Sequence, residues 1–235
     1  MLRLRFNSWI CARLTSRVHA ICLGDSHIAI FDYIKKNKLL NNFLLDVIEV
    51  GGATAQGMIN PNSKTDALRI FMTRLKNAKR FQSVILQLGE VDCGFVIWYY
   101  AEKYSVSIDK QLNKSLNNYM AFILQIKQLG FEDIIVMSAP LPTIADNQDW
   151  GNVANARREI SASLKERTAL TLRYNALLAE NCKQNDIRML DLTQFLLDEN
   201  TGLLQHEFLN ADKLDHHLNS EAYADIICRL LTEKA

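Results

Sequence analysis

Five short apolar runs punctuate the chain: "VHAICL" (18–23), "LLDVIEV" (44–50), "SVILQL" (83–88), "DIIVMSA" (133–139) and "IRMLDL" (187–192), each bounded by Gly, Pro, Asn or acidic residues. Runs this short and continuous read as parallel strands buried on both faces. Between them, apolar residues return at helical spacing. In "SLNNYMAFILQIKQLG" the residues Leu116, Tyr119, Met120, Ile123, Leu124, Ile126 and Leu129 form a stripe, and Gly130 closes the helix. The stretch from about Val153 to Lys183 has no interior Gly or Pro, which predicts one long helix or two abutting ones. Strand and helix alternate, and the connections are long enough for right-handed crossovers. The pattern therefore predicts an α/β chain: a five-stranded parallel sheet with helices on both faces, a three-layer α/β/α sandwich.

The 235 residues, 49% of them hydrophobic, fit one domain with a full core. The expected division is a basic N-terminal arm over residues 1–17 and a single domain over 18–235. The arm carries Arg3, Arg5, Arg13 and Arg17, with no acid before Asp25, a pattern shared with organelle transit peptides; it reads more simply as a surface arm. A net charge of +1 gives no field that would draw nucleic acid or an anionic membrane, so neither is expected as a partner. No run approaches the length of a membrane span. The five cysteines stand singly and are odd in number, which indicates neither a zinc site nor a disulfide framework, and a reducing, cytoplasmic setting is expected. Composition leaves the oligomeric state open, and no cofactor or metal is expected.

In a doubly wound sheet, ligands bind at the carboxyl ends of the strands. This singles out "GDSH" after the first run, "GGATAQG" after the second, "GEVDCG" after the third and "PLPTIADN" after the fourth. Ser26 follows Gly24, which permits a tight turn, and precedes an apolar helical stretch, so it sits where helix-terminal amides point outward. A serine hydroxyl attacks only with a base within reach, usually a histidine oriented by a carboxylate. The segment before the last amphipathic helix, "NADKLDHHLNSEAY", supplies Asp212, Asp215, His216 and His217.

Together, "GDS" after the first strand, a glycine turn after the second, "G-x-x-D" after the third and an Asp-His element before the last helix resemble, in order, the four blocks of the SGNH (GDSL-type) hydrolase superfamily. The resemblance runs from about Val18 to Leu231. It implies a flavodoxin-like fold and ester hydrolysis or acyl transfer through a serine intermediate, with Ser26 as nucleophile and a C-terminal histidine as base. It also implies an oxyanion hole built from the Ser26 amide, the amide of Gly51 or Gly52, and an asparagine side chain. Asp25 and Asp92 are then residues that brace the strand ends and loops around the serine.

Two departures stand out. Gly89-Glu90-Val91-Asp92 replaces the family's Gly-x-Asn-Asp, so Val91 stands where a donor belongs, and Thr54, Gln56 or an amide near Cys93 must substitute. The family also places Asp three residues before His, whereas Asp212 lies four before His216 and Asp215 two before His217. Because "HHLNSEAY" resembles the family's run into the last helix, His217 is expected as base and Asp215 as its orienter, with His216 and Asp212 as alternates.

The expected substrate is a small-molecule or glycan ester. The sugar rests on the aromatic segment around Phe95, Ile97, Trp98 and Tyr99, which reads equally as packing for a short helix. A metal held by Asp25, Glu90 and Asp92 is the weaker reading of those acids. Arg157, Arg158, Arg167 and Arg173 read as a solvated helical face. The missing donor also fits a weak or inactive glycan-binding or scaffold protein of polysaccharide biosynthesis.

Overall fold

The computed structural model describes residues 17–146 and 160–233. The arm up to residue 16, the beginning of the expected 153–183 helix, and Arg157 and Arg158 lie outside the described residues. In chain order the main elements are β1 (Val18–Gly24), α1 (Ile30–Lys36), β2 (Phe43–Glu49), α2 (Ala67–Lys76), β3 (Ser83–Gln87), α3 (Ile97–Lys103), α4 (Ile108–Gln128), β4 (Ile134–Met137), α5 (Leu164–Gln184), β5 (Arg188–Leu190), α6 (Thr193–Leu196) and α7 (Ser220–Thr232). A two-residue hairpin, β6 (Leu197–Asp198) with β7 (Leu203–Leu204), lies before α7.

β1 to β5 pair in the order β2-β1-β3-β4-β5, all parallel, with β1 between β2 and β3. The five apolar runs are these five strands, trimmed or extended by a residue or two at their ends. Their side chains alternate between two cores, as a period of two requires. Ile21, Leu23, Val84, Leu86 and Val136 face α2, α4 and α5 through Phe71, Phe122, Ile123 and Tyr174. Ala20, Cys22, Ile85, Ile135 and Met137 face α1 and α7 through Phe31, Ile34, Ile227 and Leu231. The apolar surface of both cores drives the assembly at roughly 25 cal/mol per Å² buried.

Within the expected 153–183 region the described helix is α5, Leu164–Gln184. Residues 160–163 are not helical, and α5 starts after Ser163, whose hydroxyl accepts from the Glu166 amide while the Glu166 carboxylate accepts from the Ser163 amide. That reciprocal capping fixes the first turn.

The order 2-1-3-4-5 puts a switch point between β1 and β3, where the chain leaves the sheet in opposite directions and opens a crevice at the carboxyl ends. Gly24 ends β1 there. A Cβ on it would lie 2.3 Å from the Gln87 backbone oxygen and 2.9 Å from the Ile28 Cβ, so only glycine lets β1, β3 and the first helical turn close up. Gly24→Ala is expected to destabilise the fold by about 3 kcal/mol, the upper range for overpacking. Urea denaturation checks this, and a loss under about 1 kcal/mol contradicts it.

Candidate active site

Ser26 opens a 3-10 turn, Ser26–Ala29, that runs into α1. As the first residue of the turn, its amide has no place in the helical ladder. Asp25, fully buried, caps the turn: its Oδ1 accepts from the His27 amide at 2.9 Å and lies 3.2 Å from His27 Nδ1. Ser26 lines a cavity of about 280 Å³ with His27, Ile30, Glu49, Asp215, His217 and Tyr223.

The same geometry recurs before α7. Asp215 Oδ1 accepts from the His217 amide at 2.9 Å and meets His217 Nδ1 at 2.6 Å, while Asn210 holds the other carboxylate oxygen at 2.9 Å. Partial burial pushes the Asp215 carboxyl up. The amide, ring and charge of His217 outweigh that and hold it below its ordinary value. His217 Nε2 is buried and has no hydrogen-bond partner among the described residues. An imidazole fixed at Nδ1 with its far nitrogen unpaired, on the cavity that Ser26 lines, has the arrangement of a general base.

The β2–α2 loop supplies the next wall. Gly51 and Gly52 are exposed, and no hydrogen bond joins either amide to another described residue. Gly52 has φ +71°, which re-aims the chain at that point. The loop is held from within by Asp92. Its carboxylate accepts from the Ala55 amide at 2.7 Å, the Gln56 amide at 2.9 Å and the Ser115 hydroxyl at 2.7 Å. Burial pushes the Asp92 carboxyl up to about 6, against the lowering effect of these three donors. Asp92 thus faces inward.

Of the expected replacements for the missing donor, two are already engaged. Gln56 is buried, its amide on Asp92 and its side chain on Gln111 at 3.4 Å. The Cys93 amide bonds to Gly89 O at 2.9 Å. Thr54, half-buried, accepts from the Gly57 amide at 3.0 Å, which leaves its hydroxyl proton to give. Val91 leads into a turn of π-helix, Asp92–Val96, a feature frequent at functional sites and one that periodicity did not announce.

The aromatic segment divides. Ile97 is core, and Trp98 Nε1 donates to Cys93 O at 2.8 Å. Phe95 stacks on Tyr99 and Tyr100 on Tyr104, with ring centroids 5.4 and 5.5 Å apart. The expectation for Arg167 fails: it is 4% exposed because its guanidinium donates to Ile144 O at 2.7 Å and to Asp146, whereas Arg173 is exposed beside Asp109. Asp25, Glu90 and Asp92 do not bring ligand atoms together. Among the described residues, Asp215, His216 and His217 form the metal-capable group, with atoms within 4.8 Å of one another.

No family model matches the sequence, and no curated protein matches it. Solved structures do. A GDSL-like lipase from Bacteroides thetaiotaomicron aligns with a TM-score of 0.56 at 16% identity, covering 94% of this chain and 88% of that one. An acetyl xylan esterase aligns at 0.54 and 16%, covering 91% and 100%. The inhibitor-bound aryl esterase of M. smegmatis aligns at 0.58 and 11%, covering 92% and 97%. The chain has the SGNH-hydrolase fold. Of the expected site residues, Ser26, Asp215 and His217 share one cavity, while Asp92 is turned away to the Ala55 and Gln56 amides and Ser115.

Asp92 carries a pH signature. The folded protein binds its proton at about 6 and the unfolded chain only near 3.8, so the stability it contributes is full below the unfolded value and lost as pH rises through the folded one. Relative to Asp92→Asn, wild type is expected to gain up to about 3 kcal/mol between pH 7 and pH 4. Urea denaturation of both proteins at the two pH values measures this, and a difference that stays flat or shrinks on acidification contradicts it.

Proposed function

We propose that the protein is a serine-dependent ester hydrolase or O-acyl transferase. Ser26 is the nucleophile, His217 the base and Asp215 its orienter. The single observation that carries this reading is the Asp215–His217 pair on the cavity of Ser26, with His217 Nε2 unpaired. His217 takes the Ser26 proton as Oγ attacks the ester carbonyl, and returns it to the leaving alcohol. The acyl-enzyme then passes its acyl group to water or to another hydroxyl. The Asp215 carboxylate favours the imidazolium that forms between these steps.

The tetrahedral intermediate carries its negative charge toward the amides of Ser26 and of Gly51 or Gly52. The Thr54 hydroxyl takes the third place, which Val91 cannot fill. A donor of this kind is typically worth about 2.7–4 kcal/mol in the transition state.

Esters of acylated carbohydrates are the proposed substrates. The likeness to an acetyl xylan esterase and the stacked tyrosines beside the third loop support them. Val91 supports the second reading, a protein that binds glycans and turns over slowly or not at all. Sugar binding with no hydrolysis across a panel of acyl esters, Ser26 intact, favours that reading.

Hydrolysis of p-nitrophenyl acetate is expected to fall about 10³-fold or more in Ser26→Ala and by nearly as much in His217→Ala, because members of a catalytic unit are non-additive. Asp215→Asn falls between these and wild type, and His216→Ala loses least. The rate is expected to drop on acidification, as the base takes up a proton and can no longer accept one from Ser26. Inactive His216→Ala beside active His217→Ala overturns the assignment of the base.

A further inference from the structure

Asp25-Ser26-His27 and Asp215-His216-His217 are two copies of one local device. In each, the aspartate Oδ1 accepts from the amide of the histidine two residues on, at 2.9 Å both times, and meets that histidine's Nδ1, at 3.2 Å in the first and 2.6 Å in the second. The fold brings the two copies together. The His27 and His217 ring centroids are 4.9 Å apart with their planes at 57°, and both side chains line the cavity of Ser26. His216 lies 5.8 Å from His27 and 4.1 Å from His217, centroid to centroid. His27 is 6% exposed, so solvent does not separate it from these rings.

We propose that His27 is a positioning residue for His217: its ring, fixed by Asp25, sets the place of the base's ring and, through its own proton, the pH at which the base is free to act. This rests on the assignment of Ser26 and His217 above. A proton on either ring opposes a proton on the other, because two imidazolium charges about 5 Å apart in a half-buried site repel strongly.

The titratable groups facing the pair are Asp25, Glu49, Asp215, His216 and Tyr223. Asp25 is fully buried and its Oδ2 has no partner, so the carboxylate calls for a cation, and His27 is the side chain it meets. Asp215 does the same for His217. Glu49, at the end of β2, favours a proton on either ring. Burial keeps the Tyr223 hydroxyl neutral, so it adds no charge. His216 adds a third ring that disfavours charge on both.

On this proposal the Asp25 carboxylate draws a proton to the first device's histidine in preference to the base, and that charge opposes a proton on His217. Removing it lets His217 take up its proton earlier on acidification.

The test is the pH profile of kcat/KM for p-nitrophenyl acetate from pH 5 to 8 in wild type, His27→Gln and His27→Phe. The glutamine keeps a polar contact to Asp25, and the phenylalanine keeps the ring packing. In both, the acid limb is expected to move to higher pH by about half a unit or more, with the plateau within about tenfold of wild type. A lowered plateau with an unmoved limb means a merely structural ring and overturns the proposal. Proton NMR of the unmutated protein reads the coupling directly: His27 and His217 Cε1–H shifts each respond at both titration steps, whereas two independent single-proton curves overturn it. Wild type without Ser26-dependent hydrolysis overturns the serine-hydrolase reading and this proposal together. Ser26-dependent hydrolysis with an unmoved limb overturns this proposal alone.

Discussion

The Asp92 carboxylate sits with no exposure to water at the point where three chain segments converge behind the candidate nucleophile. A buried charge of this kind is expensive, and it persists because three donors meet it: two successive amides of the β2–α2 loop and the Ser115 hydroxyl of α4. The loop has neither helix nor strand from Val50 to Ala55, and its first residue is pinned by the Val50 amide on Gly24 O. Tied at Ala55 and Gln56, it presents Gly51, Gly52 and Thr54 at the carboxyl end of β1. The placement of that loop therefore depends on a buried carboxyl group.

A second constraint works at shorter range. Asp25 and Asp215 each fold back on the histidine two residues later and hold its imidazole at Nδ1. Such a local turn is cheap to build at a strand end or before a helix, since the aspartate caps the backbone with the same oxygen that meets the ring. The sheet then needs only to place one turn after β1 and the other before α7. The 2-1-3-4-5 order does so, because α1 and α7 pack side by side on the same face.

The layered fold was legible because parallel strands buried on both faces leave short unbroken apolar runs, and the runs from Val18, Leu44, Ser83, Asp133 and Ile187 became β1 to β5. The sequence singled out Ser26, Asp215 and His217 by their loops, and the structure places all three on one cavity. What escaped were effects of tertiary contact. Arg167 looks like a surface residue in a charged helix, yet the carbonyl of Ile144 and the carboxylate of Asp146 draw its guanidinium inward. Gln56 looked like a donor for the substrate, and its engagement with Asp92 and Gln111 depends on α4 crossing behind the loop. His27 read as the residue after the nucleophile. Its contact with His217 exists only once the two ends of the domain meet.

The central claim is that Ser26 is an activated nucleophile, and capture by a fluorophosphonate reads this most directly, since phosphonylation needs both a reactive hydroxyl and a base to accept its proton. Intact-mass spectrometry of the wild-type protein is predicted to show one stoichiometric adduct, mapped by peptide fragmentation to Ser26 and absent or slowed at least about 100-fold in His217→Ala. Wild type that stays unmodified, or an adduct on another residue that persists in Ser26→Ala, contradicts the account.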